Sequence, residues 1–270
     1  MKKSLVFMPY LLICSLAFAF DAKTYNPLTN VNTCVKNEYS VTSKFGSYYR
    51  TLATKTVNAY DASGLLLEEA VYTAKDKLTE KTSYTYDTER NLTEKNTCDA
   101  EGNSVEKFAY TYSEGKLKEI DCYKTGNFYS KTIFKTENGK TDKSEYNEEG
   151  ALVKKTFLVY QGSQLIEENV YSSNGQLDYK KTYAYNDKNK IDSIVKTNPD
   201  GEIVEKTVFR YDAKGNLSEE TYYEGDAVSK RVIFKCTEDG NIAKVSYYDV
   251  GQKFGATANE LTLIYEFSFK

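Results

Sequence analysis

A tyrosine stands immediately before a turn-like segment at Tyr60, Tyr86, Tyr112, Tyr160, Tyr185 and Tyr211, with gaps of 26, 26, 48, 25 and 26 residues. The long gap is two units with one tyrosine missing. A second series falls between the first: Tyr72, Tyr123, Tyr146, Tyr171, Tyr223 and Tyr248, with Cys98 and Thr197 in the remaining slots. An internal period of this length marks a repeat architecture and outranks every local signal. Each unit of about 25 residues holds two turns, alternately about 12 and 14 residues apart.

The turns share one chemistry. Asp61-Ala62-Ser63-Gly64, Asp99-Ala100-Glu101-Gly102-Asn103, Asp212-Ala213-Lys214-Gly215-Asn216 and Glu238-Asp239-Gly240-Asn241 are examples. Asp and Asn bond their own backbone, and Gly supplies the positive φ of a tight hairpin. A Leu, Ile or Val usually follows, as at Leu65, Leu92, Leu117, Leu152, Leu177, Ile203, Leu217 and Ile242. Between turns lie short runs rich in Thr, Val, Tyr and Phe, of ordinary strand length. Short turns after every strand imply antiparallel neighbours.

The expected fold is all-β: an antiparallel meander of two-strand units, about 16 strands from Tyr48 to Tyr248. Charge falls mid-strand on both faces. In the strand ending at Tyr211, one face carries Glu205, Thr207 and Phe209 and the other Lys206, Val208 and Arg210. At about 4.8 Å per strand, 16 strands extend roughly 77 Å. Open sheets seldom pass about ten strands without curling. An elongated, twisted or coiled sheet follows, either wet on both sides in its middle or curled around a partly polar interior.

Lys2, Lys3, the apolar run Ser4–Phe18 and Ala17-Phe18-Ala19 form the pattern of a secretory signal peptide. The expected divisions are therefore a signal peptide at 1–19, an N-terminal cap at 20–47, the repeat domain at 48–250 and a C-terminal capping strand at 251–270. Lipidation at Cys14 is disfavoured by Ile13 before it and by the apolar residues after it. Export to periplasm, cell surface or medium is expected, with no integral span once the leader is removed. Cys34, Cys98, Cys122 and Cys236 remain, and their pairing is open.

Without residues 1–19, 34 basic residues face 39 acidic ones, a formal charge of −5. That balance offers nucleic acid no electrostatic footprint.

Phe209-Arg210-Tyr211-Asp212-Ala213-Lys214-Gly215-Asn216-Leu217 resembles the YD repeat of the rearrangement-hotspot (RHS) and wall-associated families. Tyr84-Thr85-Tyr86-Asp87 with Asn91-Leu92, and Tyr60-Asp61 with Gly64-Leu65, are further matches. The resemblance implies an extracellular β-repeat scaffold. Neither a self-cleavage motif nor a toxin domain follows the repeats, and the chain is too short for the families' large spiral shell.

The chain contains no histidine, so Ser-His-Asp and Cys-His nucleophiles and histidine metal ligands are excluded. The carboxylate pairs Glu68-Glu69, Glu148-Glu149, Glu167-Glu168 and Glu219-Glu220 invite comparison with glycoside hydrolysis. Adjacent strand residues point to opposite faces, however, so a sequential pair is not a facing pair. Neither EF-hand spacing nor a Gly-rich calcium roll is present. The chain is therefore read as no enzyme, with neither cofactor nor metal.

The expected role is an exported, non-catalytic scaffold or adhesion protein that binds an extracellular protein or polysaccharide. Tyr86, Tyr112, Tyr160, Tyr185 and Tyr211 are the candidate partner-binding residues, since regularly spaced aromatic rings suit stacking. Two alternatives stand beside it. One is a periplasmic or cell-surface glycan-binding module. The other is a small outer-membrane β-barrel, suggested by the alternating Leu261, Leu263, Tyr265, Phe267 and Phe269. Mid-strand Lys154, Glu205 and Glu219 weigh against lipid on a membrane strand.

Overall fold

The computed structural model describes Pro27 and residues 31–44, 46–253 and 256–270. The expected signal peptide and Cys14 lie outside the described residues.

Eighteen strands follow one another: β1 (Thr33–Lys44), β2 (Ser47–Tyr60), β3 (Leu66–Thr73), β4 (Leu78–Tyr86), β5 (Leu92–Asp99), β6 (Ser104–Ser113), β7 (Lys116–Lys124), β8 (Asn127–Glu137) and β9 (Lys140–Asn147); then β10 (Leu152–Gln161), β11 (Gln164–Ser172), β12 (Leu177–Tyr185), β13 (Ile191–Thr197), β14 (Ile203–Tyr211), β15 (Leu217–Glu224), β16 (Ala227–Cys236), β17 (Ile242–Lys253) and β18 (Ala256–Phe269). Strands β2 to β17 are the 16 expected between Tyr48 and Tyr248. Each pairs antiparallel with its sequence neighbours, and β1 pairs with β18 from Cys34↔Phe269 to Ser40↔Leu263. The meander therefore closes into a barrel.

This corrects the open, coiled sheet. Segments expected to cap the two ends contain β1 and β18, which instead pair with each other and become wall. Closure removes both exposed edges of the sheet. The largest apolar cluster sits across this seam: Cys34, Tyr60, Val232, Phe234, Val245, Tyr265 and Phe267, all buried.

The turns behave as their residue types require. Asp61 Oδ1 accepts from the Ser63 and Leu65 N–H groups at 2.8 and 2.9 Å. Asp212 Oδ1 accepts from Asn216 N at 2.7 Å, and Gly215 takes φ +85°. In the matching turns the Asn91 and Asn103 side chains, with the backbone N–H groups of the same turns, hold the exposed Asp87 and Asp99 carboxyls below the usual range. Every connection is two to five residues long.

Alternate residues on most strands fall on a crowded and an open face. Side chains on the concave side of a closed sheet converge, so the crowded face is the inner one. It carries Thr82 on β4, Thr97 on β5, Leu158 on β10, Glu168 on β11, Tyr183 on β12, Phe209 on β14, Glu220 on β15 and Val232 on β16, all buried. At about 4.8 Å per strand and 35–45° tilt, 18 strands give a diameter of roughly 35–40 Å, too wide for side chains to fill.

The outer face carries a girdle of paired charge. Lys81 meets Glu68 at 2.7 Å, Lys131 meets Glu119 at 2.8 Å, Lys155 meets Asp142 at 3.4 Å, Lys180 meets Glu167 at 2.6 Å and Arg231 meets Glu219 at 3.2 Å. Lysines of the girdle also lie over outer tyrosines, Lys55 on Tyr72 at 5.2 Å and Lys107 on Tyr123 at 5.0 Å. Lys154 and Glu205 share the inner face with buried Leu158 and Phe209, whereas Glu219 is part of the girdle.

Among the described residues, three two-residue hairpins require positive φ twice: Glu114-Gly115, Thr125-Gly126 and Asn138-Gly139. Thr125, at φ +46°, is β-branched and strained there. Thr125→Asn recreates the favoured Asn-Gly turn. It should stabilise the barrel by about 1 kcal/mol, read as a higher urea midpoint with an unchanged slope. An unchanged or lower midpoint would contradict the turn assignment.

Candidate functional site

The even-numbered strands end, and the first tyrosine series lies, at one rim of the barrel. Tyr86 donates its hydroxyl to Leu66 O at 2.9 Å, Tyr112 to Leu92 O at 3.1 Å, Tyr185 to Leu165 O at 2.8 Å and Tyr211 to Ile191 O at 2.8 Å. Each bond reaches back 20 residues to the preceding strand. Burial pushes Tyr86 up to about 12, with Asp61 adding to the rise, and Tyr112 up to about 12, with Asp87 adding. Tyr160 packs against the cluster of Leu158, Leu165 and Tyr183. The five candidate tyrosines thus form a lining whose hydroxyls, in four cases, are taken up by the wall itself.

The inner wall towards the opposite mouth holds a different assembly, spread over β9 to β14. Glu145 Oε1 receives Lys143 Nζ at 2.8 Å and Lys154 Nζ at 3.3 Å. Burial raises the Glu145 carboxyl, and the two lysines more than reverse it, leaving it below the usual range. Glu168, almost fully buried, accepts the Tyr183 hydroxyl at 2.8 Å and has Lys181 Nζ at 3.9 Å. Lys196 bonds Glu205 at 2.7 Å.

Tyr179 stands among these groups. Its ring centroid is 4.9 Å from Lys196 Nζ and 5.4 Å from Lys181 Nζ. Burial raises its hydroxyl first, and the charges of Glu168, Glu145, Asp178 and Glu205 raise it further. The arrangement offers an aromatic face ringed by donors and acceptors whose charges are already paired. No nucleophile activated by a base stands in it, and among the described residues no group of His, Cys, Asp and Glu is placed to hold a metal.

Of these residues the sequence singled out Glu168, as part of a sequential pair, and Lys154 and Glu205, as mid-strand charges; none was read as part of a site. The expectation for such pairs holds: Glu167 bonds Lys180 on the outer face while Glu168 turns inward to Tyr183. Glu148-Glu149 sits in the turn after Asn147. Cys34, Cys98, Cys122 and Cys236 are free thiols, and burial raises Cys34 to about 11.

The fold defines the class of the chain, a closed antiparallel β-barrel of 18 strands. A family model described as an uncharacterised protein matches residues 47–149. No curated protein matches the chain. Among solved structures it is similar to a porin-like protein from Bacteroides uniformis ATCC 8492, at 8% identity over 90% of this chain and 98% of that one, TM-score 0.32. It is also similar to a porin-like protein from Bacteroides vulgatus ATCC 8482, at 10% identity over 89% and 98%, TM-score 0.39. The barrel rests on its own strand pairing, not on these likenesses. The resemblance to YD repeats of the RHS and wall-associated families is corrected accordingly. Its tyrosine, Asx and glycine belong to the turns and rim of a closed barrel, and the fold is not a spiral shell.

Glu145→Gln should destabilise the protein by about 1 kcal/mol at pH 7. The folded carboxyl titrates below its unfolded value, so its contribution is present above about pH 4 and is lost as pH falls through the folded pKa. The parent and variant unfolding midpoints should therefore converge in acid. A gap that persists at low pH would contradict the assigned lysine contacts.

Proposed function

We propose that this protein is an exported, non-catalytic barrel that stands in water and binds a neutral saccharide on its inner wall at Tyr179. The observation carrying this reading is the contrast between the faces. Outside, charges alternate in sign around the wall. A lipid-facing Lys or Arg at mid-bilayer costs about 2–4 kcal/mol, and the girdle would impose that cost repeatedly. Inside, an aromatic face stands among Lys and Glu side chains already paired with one another. Four lysines shared among three glutamates give hydrogen bonds with little net charge, and ring faces suit sugar rings. A polysaccharide partner accords with this; the scaffold and adhesion roles have no comparable feature.

A second reading is a lipid-embedded outer-membrane barrel. It is favoured by the closed antiparallel wall with an even strand number, and by the outer tyrosines near one mouth.

One preparation separates the two. Cells expressing the full chain are fractionated, envelopes are washed with carbonate without detergent, and the soluble protein is titrated by calorimetry with neutral oligosaccharides. The proposal predicts release into the aqueous fraction, binding of at least one neutral oligosaccharide, and at least tenfold weaker binding by Tyr179→Ala. Retention until detergent is added, with no saccharide binding, would support the membrane barrel and overturn the proposal.

A further inference from the structure

Further along the same inner wall, on β15 to β18, lies a second aromatic and cationic group. Glu220 is fully buried and accepts the Tyr222 hydroxyl at 2.6 Å. Lys230 Nζ lies 5.4 Å from the Tyr222 ring and 5.7 Å from the Tyr247 ring. Tyr247 in turn meets Tyr265 edge to face at 5.8 Å. The pattern repeats the Tyr179 group: a buried glutamate held by a tyrosine hydroxyl, and a lysine over aromatic faces. It differs in one respect, since among the described residues no carboxylate lies within ion-pair distance of Lys230.

The two groups are joined by register. Lys196 opposes Glu205, Thr207 opposes Tyr222, and Tyr222 opposes Lys230, so inward polar side chains run without a break from β13 to β16. Tyr179 on β12 and Lys230 on β16 are four strands apart, about 19 Å across the strands, with a further offset along them. That span exceeds a single sugar ring. The connections at both mouths are too short to fold across the opening.

Resting on the saccharide reading of Tyr179, we infer that Tyr222, Lys230 and Tyr247 form a second subsite, and that the ligand is a polysaccharide chain lying along the inner wall from β12 to β17. Each site alone is a small aromatic face. A chain that engages both converts the second contact into an intramolecular one and gains affinity with length.

The test is a calorimetric series on the full-length protein with neutral oligomers of glucose, xylose and N-acetylglucosamine, from dimers to octamers. In at least one series the longest oligomer should bind at least tenfold more tightly than the dimer. Lys230→Ala and Tyr247→Ala should each abolish most of that gain, whereas Tyr179→Ala should weaken every length. Affinity independent of length, or a gain that survives both substitutions, would overturn the second subsite while leaving Tyr179 intact. Absence of binding by any oligomer would overturn the saccharide reading and this inference with it.

Discussion

The pairing of β1 with β18 is the constraint on which the molecule depends. Seven residue pairs join the strands, and backbone bonds between Thr33 and Lys270 at 2.9 and 3.0 Å extend the ladder to the chain's end. A net backbone hydrogen bond contributes only about 0.5–1.5 kcal/mol. The seam therefore needs the apolar cluster lying across it, where Cys34, Tyr60, Val245 and Phe267 are buried together. Closure has three consequences. It ends the sheet's edges, it gives the wall an inner and an outer side, and it sets a width no side chain spans.

The two sides then follow different physics. The outer girdle consists of ion pairs at half-exposed positions, each worth about 0–1 kcal/mol. Its value lies in solvation and in strand register as much as in energy, because a one-residue slip would move each charge to the inner face. The inner side is divided lengthwise. One rim is lined by tyrosines whose hydroxyls bond the neighbouring strand, and by Leu92, Leu158 and Leu165. Towards the other mouth, paired lysines and glutamates with Tyr179 and Tyr222 face the lumen. Hydrogen bonds for a polar ligand are concentrated there, which is why the proposed binding sites fall towards that mouth and not at the tyrosine rim.

Much of the local structure was legible in the chain. Asx and Gly at the turns, Leu after them and β-formers between them specify each hairpin, and the strand count between Tyr48 and Tyr248 follows. Closure was legible only as an alternative, through the Leu261–Phe269 stripe, because an open meander and a barrel share the same alternation. Leu263, Tyr265, Phe267 and Phe269 were visible as an apolar stripe, but only pairing with β1 makes them the inside of a seam. The girdle leaves a trace in sequence, since Lys55, Glu68, Lys81, Glu94 and Lys107 are each 13 residues apart. Without a fold, that spacing says nothing about which side is wet. The Tyr179 group was hidden for a related reason: Glu145, Tyr179 and Glu205 are remote in sequence, and only the strand register brings them together.

Ring closure is tested most directly at the seam. Val35 and Ser268 oppose each other in the β1–β18 ladder. In an open sheet of 18 strands they would lie roughly 80 Å apart. Spin labels placed at both positions, on a background with the native cysteines replaced, report this separation by continuous-wave electron paramagnetic resonance. A closed barrel predicts strong dipolar broadening relative to either single label. Double-labelled spectra equal to the sum of the single labels, in a protein with native β-sheet content, would contradict it.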